Sequence, residues 1–251
     1  MAILHCLRYF RKQRTFFAGH RSTAYNLQLF MILDLGVVDY QEALKTQREF
    51  VNKRRLNEIS DSIIIAQHPP VLTIGRSGSR DNLLVKENFL TGNGIKVIDV
   101  ERGGDITFHG PGQIVSYPIL DLKNRSMDLH RYLRDLEEVA ISFLKIYGVR
   151  GSRKKEATGV WVDESKIVSI GIAAKDWITY HGLSVNVNVD TGFFSMINPC
   201  GFKDLKVTSL KDILSRRLPM REAKDKLLDE LKNMFGPKIM ESANECCSAL
   251  A

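Results

Sequence analysis

The hydrophobic and polar positions of this chain change period several times, and each change marks an element. Ile32-Leu33-Asp34-Leu35-Gly36 reads as a first strand, so the folded domain is expected to begin near Met31. Asp39 then offers a helix cap, Glu42 stands in the capping-box position, and Tyr40, Ala43, Leu44, Phe50 and Val51 recur at helical spacing. Two β-branched runs follow, Ser62-Ile63-Ile64-Ile65-Ala66 and Val71-Leu72-Thr73-Ile74. The stiff Gln67-His68-Pro69-Pro70 turn between them makes His68 a turn or core histidine rather than a catalyst. Ile114 to Leu120 reads as another strand. Asp128 caps a long helix carrying Leu129, Tyr132, Leu133, Leu136, Val139, Ala140, Phe143, Leu144 and Tyr147, and Gly148 ends it.

A second β region comprises Gly159-Val160-Trp161-Val162, Lys166 to Ile172, and the alternating Leu183-Ser184-Val185-Asn186-Val187-Asn188-Val189. In the last of these the apolar residues share one face and the serine and asparagines the other, so one side of the sheet lines a cleft or meets water. The chain returns to helix at Val207 to Leu214, capped by Thr208 or Ser209, and at Met220 to Phe235, with Met220, Ala223, Leu227, Leu228, Leu231 and Met234 at core spacing. Strands and helices alternate without βαβ regularity or repeats. The fold class expected is α+β, a mixed sheet with packed helices.

Length and composition fit one domain: 251 residues, 44% of them apolar, can enclose a substantial core. The longest apolar cluster, Leu29 to Leu33, stops at Asp34, far short of the roughly 20 residues a bilayer span requires. Cys6, Cys200, Cys246 and Cys247 show no metal-ligand spacing and no disulfide framework, which fits a reducing compartment without a structural metal. The formal charge of +7 suggests nucleic acid until it is located. Residues 1–33 hold Arg8, Arg11, Lys12, Arg14 and Arg21 and no acidic residue, so the excess describes a leader and not a binding face. Such a leader resembles an organelle transit peptide, mitochondrial first and plastid as the alternative. A short basic tail on a cytosolic enzyme, or a start upstream of the true domain, would read the same way. The expected division is a leader at 1–31, a catalytic domain at 32–236 and a tail at 237–251.

Chemistry concentrates in Arg102-Gly103-Gly104-Asp105-Ile106-Thr107-Phe108-His109-Gly110-Pro111-Gly112-Gln113, a run between two strand-like stretches that reads as a substrate-gripping loop. Glycine admits close backbone approach, proline fixes a turn, and Arg102 and His109 can orient a polar or anionic group. A tight turn on an ordinary sheet is the bland alternative, and the pattern is not that of a nucleotide phosphate loop. Cys200, bracketed in Asn198-Pro199-Cys200-Gly201, is a candidate nucleophile, although a lone cysteine is more often an inert small hydrophobe. Lys166, at the mouth of an otherwise apolar strand, is the cation that could favour its thiolate. Arg153-Lys154-Lys155 could meet an acidic partner, or could simply be solvated.

Together, four blocks resemble the octanoyltransferases of lipoate biosynthesis. They are Arg102 to Gln113, Lys166-Ile167-x-Ser169-Ile170-Gly171, His181-Gly182-Leu183-x-x-Asn186-Val187-Asn188, and Asn198-Pro199-Cys200-Gly201, within a likeness running from about Leu33 to about Leu214. The resemblance implies a fold shared with biotin and lipoate protein ligases. It implies octanoyl transfer from acyl carrier protein to a lysine of lipoyl domains, such as glycine cleavage H protein or 2-oxoacid dehydrogenase E2 subunits. No cofactor, metal, nucleic acid or membrane span is implied. On the same resemblance Cys200 carries the acyl group as a thioester and Lys166 is the catalytic lysine. Substrate would bind through Arg102, Gly103, Gly104, Asp105, Ile106, Thr107, Phe108 and His109, through Ser169, Ile170 and Gly171, and through Gly182, Leu183 and Ser184. Backbone amides near Ser169 to Gly171 or Gly201 are candidates for an oxyanion site, and His109 and His181 are either proton shuttles or structural. The other readings are an ATP-dependent lipoate or biotin ligase, and a binding module that has lost the chemistry.

Overall fold

The computed structural model describes residues 30–155, 157–199 and 205–237. Residues 1–29, which hold most of the expected leader, residue 156, Cys200 with the following residues to 204, and residues 238–251, which include Cys246 and Cys247, lie outside the described residues. Strand β1 (Met31–Val37) and strand β2 (Ser62–Gln67) are parallel neighbours, joined by helix α1 (Tyr40–Arg55). A parallel pair needs such a crossover, because a tight turn reverses direction. As the sequence predicts, Asp39 caps α1, its side chain accepting the Gln41 N–H at 2.8 Å.

The remaining strands of the main sheet are β6 (Gln113–Ile119), β7 (Ser152–Lys154), β8 (Ala157–Val162), β9 (Ser165–Lys175) and β10 (Ile178–Asn186). Their order is β1-β2-β6-β10-β9-β8-β7, antiparallel from β2 onward. A second sheet places β3 (Val71–Ile74) between β4 (Lys96–Asp99) and β5 (Ile106–His109). The two runs on either side of Pro69-Pro70 therefore enter different sheets. Two consecutive prolines offer no N–H to a shared ladder, and the turn redirects the chain rather than closing a hairpin.

Strand β2 reads as a continuous apolar run because both its faces are covered. Ile63 and Ile65 join the core under helices α3 (Leu129–Ile146) and α5 (Met220–Phe235), whereas Ile64 and Ala66 join the core under α1. On α3, Leu136, Val139, Phe143 and Leu144 fill the same core, Asp128 caps the first turn, and the chain leaves through Gly148 at φ +72°. Short helices α2 (Glu87–Gly92) and α4 (Leu210–Leu214) complete the set, α4 capped by Ser209 and not by Thr208. Among the described residues, no helix is long and apolar enough to cross a membrane.

Three sequence expectations change here. The run from Arg102 to Gln113 is not loop throughout, since Ile106 to His109 form β5, paired with β3. Asn186 and Asn188 do not meet water: both are buried and bonded, Asn186 to Gln113 and the Thr208 carbonyl, Asn188 to the Leu218 backbone. The basic triplet is partly spent on the fold, Arg153 pairing with Glu137 and Glu138 and Lys154 with Glu164. The sequence pattern also left β4, α2 and β7 unassigned, since runs of three to six residues repeat their period only once or twice.

Candidate active site

Strand β9 outruns its neighbour β8, and the gap this leaves is the origin of the site. The β8 pairing with β9 reaches Val168, and beyond it the glycine run takes over, Gly103 N–H donating to the Ile172 carbonyl at 2.8 Å. A side chain at Gly171 would put its Cβ 2.8 Å from the Gly103 carbonyl, so a glycine here is what lets the run lie against the strand. Between the main sheet and the small one opens a cavity of about 460 Å³, within the size range of small-molecule sites.

The cavity collects nearly all the residues singled out by the sequence. Arg102 through Thr107, His109, Lys166, Ser169 to Gly171 and Gly182 to Ser184 all line it. Phe108 does not; it points into the small-sheet core, stacked on Phe193 at 4.7 Å and edge-on to Phe194, as alternation along β5 requires. Cys200 is outside the described residues, and the chain from residue 205 onward is bonded to Lys166. Lys166 N–H donates to the Lys206 carbonyl at 2.8 Å, and Thr208 N–H donates to the Lys166 carbonyl at 2.9 Å. Tyr40, Ser77, Tyr117, Leu133, Ala157 and Thr158 also line the cavity and were not singled out. Tyr40 lay in the apolar stripe of α1 and Tyr117 in an apolar strand, where a phenol is indistinguishable from core.

Arg102 and Asp105 brace the loop from inside. The Arg102 Nη2 donates to the carbonyl and the hydroxyl of Thr73 on β3, at 2.7 and 2.8 Å, and Nη1 to the Gly103 carbonyl. Asp105 accepts from the backbone of Ser79 and Ile106 and from Asn82 Nδ2. Arg102 thereby ties the run to β3 and Asp105 ties it to the Ser79 to Asn82 segment, while both still border the cavity.

His109 and His181 line the cavity and His68 lies behind His109, their ring centroids 6.0 Å apart; burial keeps all three neutral near pH 7. His68 bonds the Val38 carbonyl at 2.8 Å and the Tyr117 hydroxyl at 2.6 Å, the core role its sequence context suggested. Desolvation lowers its pKa, and lowers that of His109 well below the usual histidine value, with the nearby His68 and Arg102 adding to the second effect. His109 stacks on Tyr40 and bonds Gln113 through Nδ1 at 3.2 Å. Gln113 directs its Nε2 donors at the Phe108 carbonyl and Asn186 Oδ1, so its Oε1 accepts from His109. That fixes the His109 proton on Nδ1 and leaves Nε2 as an acceptor. His181 is the strained member, a non-glycine residue in a strand at φ +57°, its N–H donating to Gln47 Oε1 at 2.9 Å. Its Nδ1 lies 3.4 Å from the Tyr40 hydroxyl, its Nε2 is buried with no hydrogen-bond partner among the described residues, and burial pulls its pKa down to about 3.

A largely apolar cavity whose lining includes Lys166 and two neutral imidazoles suits an acyl chain attached to a polar reacting group. The chain's relatives agree with this picture. Residues 39–232 match the family model for the lipoyl protein ligase A/B catalytic domain. An octanoyltransferase of Caldicellulosiruptor saccharolyticus is 46% identical over 206 residues, which cover 81% of this chain and 88% of the relative. Among solved structures, the bi-partite lipoate protein ligase of Thermoplasma acidophilum has TM-score 0.62 at 17% identity, covering 82% of each chain. The biotin protein ligase of Aquifex aeolicus in complex with biotin and ATP has TM-score 0.51 at 14% identity, covering 82% of this chain and 70% of that one. These structures share the fold expected from the sequence. Family model and relative together make the chain a member of the lipoyl protein ligase A/B family, on its octanoyltransferase branch.

Proposed function

We propose that the protein transfers an octanoyl group from octanoyl-acyl carrier protein to the ε-amino group of a lysine in a lipoyl domain, through a thioester on Cys200. The observation that carries this reading is the buried Lys166 at the cavity wall, its backbone hydrogen-bonded to Lys206 and Thr208, six and eight residues beyond Cys200 in the sequence. The Cys200 thiolate attacks the donor carbonyl, the carbon–sulfur bond to the carrier breaks, and the Lys166 ammonium gives its proton to the departing thiolate. The neutral Lys166 amine then accepts a proton as the acceptor lysine attacks the acyl-enzyme. An amide forms, Cys200 leaves as thiolate, and the ammonium is restored. One thioester replaces another in the first half, and the second ends in a more stable amide, so no ATP is consumed. The apolar wall at Val115, Leu133, Ile170 and Leu183 receives the acyl chain. Acceptors of the glycine cleavage H protein and 2-oxoacid dehydrogenase E2 kind fit this chemistry. A mitochondrial destination, or a plastid one, is supported only by the acid-free basic leader, and fractionation of cells making the full chain tests it.

The test is intact mass after incubation with octanoyl-acyl carrier protein without ATP, for the wild type, Cys200→Ser and Lys166→Met. An octanoyl adduct that hydroxylamine removes, that moves to an apo lipoyl domain, and that is absent from Cys200→Ser is the expected result. Acceptor modification that requires free octanoate and ATP would replace this reading with a ligase.

A further inference from the structure

We propose that Trp161 is the positioning residue of this site: its indole face fixes the Lys166 ammonium at the cavity wall, in a slot that glycine at 159 keeps open. The proposal rests on the role given to Lys166 above. Trp161 on β8 and Lys166 on β9 are direct cross-strand partners, which puts their side chains on one face of the sheet. The Lys166 Nζ lies 5.1 Å from the indole centroid, within cation–π range. Trp161 is 1% exposed and Lys166 3%, so little water screens the attraction.

Gly159 supplies the second wall. It sits at φ +131°, and a Cβ there would lie 2.7 Å from Lys166 Cε and 3.3 Å from Nζ. Its N–H donates at 3.1 Å to Glu137, a buried carboxylate of α3 that Arg134 and Arg153 also hold, so the backbone of the slot is anchored. The lysine stem thus runs over bare backbone and ends against the indole. The indole itself is not held by its own hydrogen bond, because Trp161 Nε1 is buried without a partner among the described residues. From β7, Lys154 Nζ stands 5.9 Å from the same ring, and Glu164 anchors it.

An aromatic wall suits a lysine that must exchange its proton. The ring attracts the ammonium through its quadrupole but takes no proton from it, so the proton remains available to the departing thiolate. It also restricts a four-carbon stem that would otherwise lose much rotamer freedom on reaching the reacting geometry.

Steady-state transfer from octanoyl-acyl carrier protein to an apo lipoyl domain, measured for wild type, Trp161→Phe, Trp161→Leu and Lys166→Met, tests this. Loss of a desolvated cation–π contact predicts a kcat about 10- to 30-fold lower in Trp161→Leu with donor KM nearly unchanged, and recovery to within about threefold of wild type in Trp161→Phe, which keeps a ring. Wild-type kcat in Trp161→Leu, or a loss in Trp161→Phe as large as in Trp161→Leu, would overturn the proposal. An inactive Lys166→Met beside a fully active Trp161→Leu removes the Trp161 role alone, whereas an active Lys166→Met removes the reading beneath it. A second readout does not depend on Trp161 variants folding. Trp177→Phe leaves Trp161 as the chain's one tryptophan, and adding Lys166→Met should shift its emission by removing the charge over the ring. An unchanged spectrum counts against the proposal as firmly as unchanged kcat.

Discussion

Along β10 and just beyond it, the two faces of the central sheet are both buried and are closed by different chemistry. Leu183, which also borders the cavity, Val185 and Val187 enter the core under α3 and α5, while Ser184, Asn186 and Asn188 on the opposite face are 3%, 4% and 6% exposed. The helix face is closed by apolar packing, which is tolerant of detail so long as volume is kept. The cavity face is closed by directed bonds, Asn186 to Gln113, Gln113 to His109, and His68 to Tyr117, each of which leaves a buried orphan when a partner is removed. Burial alone therefore does not distinguish scaffold from site; the kind of contact does.

Substitutions on each face should separate these roles, beginning with the largest effect. Phe143→Ala empties the centre of the helix-face core and should lower unfolding free energy by about 3–5 kcal/mol in urea titrations. Its kcat per folded molecule should stay at the wild-type value, and a comparable loss of kcat would show the two faces to be coupled. Asn186→Ala strips bonds from Gln113 and the Thr208 carbonyl, with an expected stability loss of about 1–3 kcal/mol. Because Gln113 orients His109, this variant should lose kcat beyond its loss of stability. Unaltered transfer by the folded fraction would make the network purely structural.

The smallest expected effect is a slope. His181 has its folded pKa depressed to about 3, against the ordinary histidine value of 6.5, so the unfolded chain binds the additional proton. Stability from this group is full above pH 6.5 and is lost progressively as pH falls from there toward the folded pKa. In that window each such histidine contributes a slope of up to about 1.4 kcal/mol per pH unit, and His68 and His109 act in the same direction. Urea midpoints of His181→Gln from pH 7.5 to 5 should show a shallower acid decline than wild type. Parallel curves would mean that the fold leaves the His181 pKa at its unfolded value.

Much of the site was legible along the chain because its chemistry is local. The glycine-rich run, Lys166 at a strand start and the Gly182 to Ser184 segment all border one cavity; the first two announced themselves by unusual residue types in an apolar setting, and the third through the family resemblance. Tyr40, Tyr117 and Trp161 gave no such signal, since each sits in an apolar stripe and only a partner on another strand or helix gives its ring a second use. Phe108 erred the other way. It lies within the right motif, but strand alternation turns it from the cavity to the core beside Phe193.

What the sequence determined by itself were the features set within a few residues of each other. These include the Asp39 and Asp128 caps, the end of α3 at Gly148, the alternation of β10, the β-branched run of β2 and the α+β class. Tertiary structure alone decided which runs share a sheet, where β9 outruns β8 to open the cavity, and which neutral histidine faces which donor. It also decided that a tryptophan would lie against Lys166. The physical reason is range: caps, turns and periodicity are fixed by neighbouring torsions and hydrogen bonds, whereas pairing across strands and the desolvation of a polar group exist only once distant segments have packed.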